Sequence, residues 1–187
     1  MRIDMTVREN LERVRYEMRL ACDRSGRKPE DVTLIAVTKY VETARIAEAV
    51  AAGVTEIGEN RAQEFTEKLT FYEQNHLRAH FIGQLQTNKV KYICGKADLI
   101  QSVDRKPLLD AIAACAQKRG VTQDILIEVN IGGETQKGGI DVPSLDALAE
   151  RIATLPSVRL RGLMCVPPAT DKEAVRPYFR RMRALYE

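Results

Sequence analysis

The strongest constraint on this chain is a repeated alternation of short apolar runs with helical stretches. Residues 33–38 (TLIAVT) form a β-branched run, followed by a helical pattern over 42–52 that stops at Gly53. Strand and helix then recur over 56–58 and 60–74, 79–82 and 88–94, and 99–103 and 107–119, the last helix closed by Gly120. Two more pairs follow, 125–130 (ILIEVN) with 144–154, and 158–166 with 172–186. Six strand–helix units of this kind demand parallel pairing, because each crossover helix returns the chain to the same end of the sheet. Either an open doubly wound sheet or a closed (β/α)8 barrel satisfies that demand.

The spacing of polar residues bears on the choice. No GxGxxG follows the first strand and no Walker sequence occurs, which weakens the nucleotide-binding open sheets. Glu128 and Arg161 interrupt otherwise apolar strands, and a barrel lumen tolerates an inward polar residue better than a sheet covered on both faces. The expectation is an α/β fold of the (β/α)8 type, a single domain over residues 1–187. About six of the eight units are in hand, and the last two are expected to be missing. The final helical pattern ends without Gly, Asn or Pro, as a truncated chain would.

Residues 1–26 precede the first strand and read as a helix. Thr6 and Glu9 have the spacing of a capping box, and Val7, Leu11, Val14, Met18 and Ala21 make one apolar stripe. The segment is charged throughout, so it is not a signal peptide, and no run reaches the ~18 apolar residues of a membrane helix. A net charge of +3, 5% aromatics and no Trp give no ground for a nucleic-acid partner. Four scattered cysteines without a CxxC pair suit buried thiols in a reducing cytoplasm.

Chemistry in parallel α/β folds collects at the carboxyl ends of the strands. Strand parity puts Ile35, Val37 and Lys39 on one face, so an inward-facing first strand aims Lys39 into the lumen mouth. Apolar walls there would disfavour the charged amine and free it to attack a carbonyl as a Schiff-base nucleophile. A solvated lysine at a strand end is the plainer alternative. The loop 130–140 (NIGGETQKGGI) holds four glycines and Lys137, and reads either as an anion cradle or as a surface loop. His80 reads as a packing residue, and the arginines Arg176, Arg180, Arg181 and Arg183 as a solvated helix face.

Taken in order, AVTK (36–39), IGENRAQE (57–64), HFIGQLQTNK (80–89), the NxxxExxKxG pattern of 130–139 and RGLMCVPP (161–168) resemble the successive motifs of the pyridoxal-phosphate homeostasis proteins, the YggS-like family. The resemblance implies a barrel like the N-terminal domain of alanine racemase that binds pyridoxal 5′-phosphate (PLP). Lys39 matches the family's Schiff-base lysine, Asn60 the asparagine of its GEN motif, and Met164 lies in the segment matching its RGLM. It implies a monomeric, cytoplasmic PLP carrier without established catalysis, with PLP-dependent apoenzymes as candidate recipients and with no metal. An amino-acid racemase or other PLP enzyme using the same lysine is the alternative, as is a phosphate-binding barrel enzyme without PLP. The family's Ser-rich and GxTxVRxG phosphate segments are not found in the sequence.

Overall fold

A computed structural model describes residues 5–187. The first four residues of the expected 1–26 segment lie outside the described residues. Helix α1 (Val7–Ser25) starts at the expected capping box: Glu9 N–H donates to Thr6 Oγ1 at 3.2 Å, and Thr6 N–H donates to the Glu9 carboxylate at 2.7 Å. Its stop is Gly26, at φ 67°, a left-handed cap that favours glycine. The apolar stripe is only partly used. Val7, Leu11 and Met18 are half-buried, whereas Val14 and Ala21 are exposed and Cys22 is the residue that enters the core. The reason is a polar attachment: Arg15 donates to the carbonyls of Ala52 and Gly53 at 2.8 and 2.6 Å. These carbonyls close the next helix, α2 (Thr43–Ala51), where a cation also meets the negative pole of the helix dipole.

The alternation follows as β1 (Ala36–Val37), α2 (Thr43–Ala51), β2 (Glu56–Glu59), α3 (Ala62–Gln74), β3 (Arg78–Phe81), α4 (Val90–Ile93) and β4 (Leu99–Val103). Helix α5 (Lys106–Arg119), β5 (Gln123–Glu128), α6 (Leu145–Ala153), β6 (Val158–Met164) and α7 (Arg176–Tyr186) complete it. All neighbouring strands pair in parallel, and their order in the sheet is their order in the chain. A doubly wound sheet reverses direction at a switch point. This sheet has no reversal, which is the barrel arrangement, present as six consecutive βα units.

One face of the sheet packs under the helices. Ile57, Phe81, Ile100 and Ile125 join Phe65, Leu108, Ile112 and Leu148 in a continuous core. Phe65 meets Phe81 edge-on at 6.4 Å. The opposite face is more polar: His80 bridges Glu56 (2.7 Å) and Gln101 (2.8 Å) across three strands, and burial lowers the proton affinity of its ring. His80 is thus the packing histidine expected.

Several boundaries differ from the sequence reading. Strand β1 shrinks to two residues, because the register Ala36↔Ile57 sets Thr33 and Leu34 opposite the turn before β2. The last helix starts at Arg176 instead of 172, as Asp171 accepts from the N–H groups of Glu173 and Ala174 in a separate turn. Arg161 is exposed and lies 3.6 Å from Asp124, so of the two polar strand residues only Glu128 is buried. No helix among the described residues is long and apolar enough to cross a membrane.

Candidate functional site at the strand ends

Lys39 follows β1 as the second residue of a four-residue turn, Thr38–Val41, closed by Val41 N–H donating to the Thr38 carbonyl at 3.1 Å. Thr38 points beneath the sheet and is buried, with its hydroxyl 2.8 Å from the Glu59 carboxylate. Lys39 and Val37 are exposed, Val37 at 51%. The apolar walls expected around Lys39 are therefore not there: both residues lie on the uncovered side of an edge strand. What the turn presents is an accessible primary amine at the carboxyl end of β1.

Tyr40 has φ 60°, in the left-handed region that this turn position normally fills with glycine. Glu64 of α3 accepts its N–H at 2.8 Å, and Arg61 lies 4.7 Å from its ring centroid. Lys68, one turn further along α3, donates to the Thr38 carbonyl (2.8 Å), the Glu59 carboxylate (2.7 Å) and Glu64 (3.1 Å). The Tyr72 hydroxyl adds a bond to Glu59 at 3.2 Å. Accepting the Tyr40 N–H holds the Glu64 carboxyl below the usual carboxylate range. This network escapes a sequence reading that looks only at strand ends. Its signal is the i, i+4 spacing of Glu64 and Lys68, just after Glu59 in a buried strand.

Asn60 directly follows β2, the strand paired with β1. Its Oδ1 is buried without a hydrogen-bond partner among the described residues. Close backbone packing fixes it: a Cβ on Gly83 would stand 2.2 Å from the Asn60 carbonyl oxygen. Lys39 and Asn60 thus share the β1–β2 corner of the rim. Met164 pairs with Glu128 at the end of β6, four strands away at the opposite edge of the sheet. Glu128 is 8% exposed, and burial, with repulsion from Asp104, pushes its carboxyl up to about 7.

The loop after β5 is more closed than an anion cradle requires. Lys137 sits 2.6 Å from Glu134 and 3.0 Å from the Pro167 carbonyl, so its charge is spent within the loop. Asn130 ties the loop down through two bonds to the Glu134 backbone. Every cysteine is free; Cys22 and Cys94 are buried as expected, and burial pushes the Cys94 thiol up to about 12, whereas Cys115 and Cys165 are only half-buried. No cluster of metal-ligating side chains occurs among the described residues.

Residues 10–187 match the family of the alanine racemase N-terminal domain. The pyridoxal phosphate homeostasis protein of Aquifex aeolicus (strain VF5) is 46% identical over 97% of this chain and 80% of its own length. The chain belongs to the pyridoxal phosphate homeostasis protein family. Among solved structures, a protein from Bifidobacterium adolescentis superposes with a TM-score of 0.90 at 34% identity, covering 96% of this chain and 77% of its own. PipY of Synechococcus elongatus PCC7942, solved with PLP bound, gives 0.76 at 32% identity, with 90% and 78% covered. Membership in the pyridoxal phosphate homeostasis family settles the fold as that of the alanine racemase N-terminal barrel.

Proposed function

We propose that this protein binds PLP through Lys39 and serves PLP homeostasis in the cytoplasm as a carrier for PLP-dependent apoenzymes, not as a catalyst. The observation that carries the reading is the accessible amine of Lys39 after β1 and, after the neighbouring strand β2, the buried Oδ1 of Asn60, which has no partner among the described residues, in a family with a PLP-bound member. When bound, the cofactor supplies an aldehyde that condenses reversibly with a primary amine, releasing water. Lys39 offers the amine, and the turn that carries it sets its direction. Asn60 offers an acceptor that costs free energy while it stays unpaired. Met164, at the other edge, is assigned the cofactor side of β6.

Racemisation by this scaffold would need a second proton donor and acceptor facing Lys39. The tyrosine at hand, Tyr40, adjoins Lys39 in the chain, with Arg61 at its ring. That placement favours holding over catalysis. The test is borohydride reduction of the PLP-loaded protein followed by peptide mass spectrometry. The pyridoxyl group is expected on Lys39; finding it on Lys89 or Lys137 defeats the assignment. An accompanying assay for racemisation of amino acids should give no turnover, and turnover would favour the enzyme reading.

A further inference from the structure

We propose that Glu64 and Lys68 are positioning residues that clamp the peptide groups on either side of Lys39, and so hold its amine in the direction that receives PLP. The inference rests on Lys39 being the PLP-binding lysine.

Four observations converge on the turn. The carbonyl of Thr38, immediately before Lys39, accepts from Lys68 Nζ at 2.8 Å. The N–H of Tyr40, immediately after it, donates to Glu64 at 2.8 Å. The two helix residues are joined to each other at 3.1 Å, one turn apart on α3. Immediately past the second gripped peptide, at Tyr40 itself, the backbone takes a conformation that tyrosine rarely adopts, φ 60°.

Physics gives this arrangement a direction. A side chain other than glycine persists in the left-handed region only where surrounding bonds over-determine it. Strand β1 supplies little of that restraint, since it is two residues long and lies at the sheet edge. The clamp from α3 supplies it instead. A lysine side chain has four rotatable bonds, and fixing its backbone removes the largest source of misdirection at its base. Helix α3 is anchored by Phe65 and Tyr72 in the core, so the grip is rigid. The direction of Lys39 is thereby set by a helix that follows β2, not by its own strand.

The test separates a clamp from a merely structural network by using glycine. At residue 40 glycine adopts φ 60° without strain, so a Tyr40→Gly chain needs no clamp to keep the turn. Four proteins are compared with wild type: Glu64→Ala, Glu64→Gln, Tyr40→Gly and the Glu64→Ala/Tyr40→Gly double variant. PLP affinity is read by absorbance titration, and amide hydrogen exchange over residues 38–41 is read in the ligand-free protein. Glu64→Ala is expected to weaken PLP about tenfold, as loss of one charge-assisted bond does, and to speed exchange at Tyr40. Glu64→Gln, whose amide oxygen still accepts, should stay within about threefold of wild type. The double variant should bind within about threefold of Tyr40→Gly, because the turn no longer needs the bond.

An unchanged PLP affinity in Glu64→Ala overturns the proposal, whatever exchange does. So does a loss in the double variant as large as in the single one. If Glu64→Ala alone does not fold, the double variant decides: recovery of fold and binding supports the clamp, and failure of both overturns it. Borohydride labelling of wild type away from Lys39 instead removes the reading underneath, and is seen before any variant is made.

Discussion

Lys68 reaches the fully buried Glu59 at 2.7 Å and is its cationic partner, while the second carboxylate oxygen of Glu59 has no partner among the described residues. Removing the lysine would strand a negative charge in the core. Lys68→Met should therefore cost about 3–5 kcal/mol of folding stability, the range for breaking one side of a buried pair. Glu59→Gln should cost less, because the amide keeps a hydrogen-bond acceptor without leaving an unpaired anion. Urea unfolding of both variants checks the order. If Lys68→Met proves no worse than Glu59→Gln, the pair is not what holds this corner.

Glu128 gives a pH dependence of defined sign. Its carboxyl is raised in the folded protein to about 7 from an ordinary 4.5 by burial and by Asp104. The folded state thus holds a proton that the unfolded chain releases earlier, so this group favours folding at low pH. Its contribution is full below about pH 4.5 and fades as pH rises through about 7. Glu128→Gln should leave stability near pH 5 almost unchanged and raise it at pH 8 by on the order of 2 kcal/mol. Thermal melts of both proteins across that range make the comparison. A variant that loses stability at pH 8 would show the ionised carboxylate to be stabilised instead.

Gly83→Ala tests the packing that fixes Asn60. The added methyl would meet the Asn60 backbone at 2.2–2.7 Å, and backbone cannot swing aside as a side chain can. A loss of about 1–3 kcal/mol is expected, with weaker PLP binding as the ends of β2 and β3 are pushed apart. Gly120→Ala is the control: no atom lies within 4 Å of its would-be methyl, so its cost is the strain of φ 66° alone and PLP affinity should hold. Equal effects on PLP affinity would remove the contact as the cause.

Arg15→Ala removes the two bonds to the end of α2 and should cost about 1–2 kcal/mol without altering PLP binding, since the contact lies away from Lys39. Denaturant unfolding alongside PLP titration checks both halves. A loss of PLP affinity there would couple α1 to the rim.

Much of this was legible in the sequence where periodicity speaks. The strands survive because runs such as ILIEVN leave few other options, and the place of Lys39 at the carboxyl end of β1 follows from the strand itself. What the sequence could not show was the company each residue keeps. The surroundings of Lys39 depend on which side of β1 is covered, and the structure leaves Val37 and Lys39 in the open. For Lys137 the sequence leaves an anion cradle and a surface loop equally open, and it is the folded loop that sets it against Glu134. The clamp on Tyr40 was invisible because φ is not a property of the residue name, and nothing marks a tyrosine as standing where glycine belongs. The length of β1 is hidden from the sequence for a related reason: pairing is decided by where the partner strand begins.

The unbroken strand order also shapes how the chain acquires its structure. Each strand finds its partner in the very next unit, so every ladder closes a loop only one helix long. Loop-closure entropy is then met in small, similar instalments, instead of one large step to a distant strand. Parallel sheets fold slowly when their contacts are remote in sequence. Here each ladder spans a single βα unit, so strand pairing is as near in sequence as a parallel sheet allows. A sheet without a switch point therefore lets each new βα unit pair against the one just before it, with no distant strand to wait for.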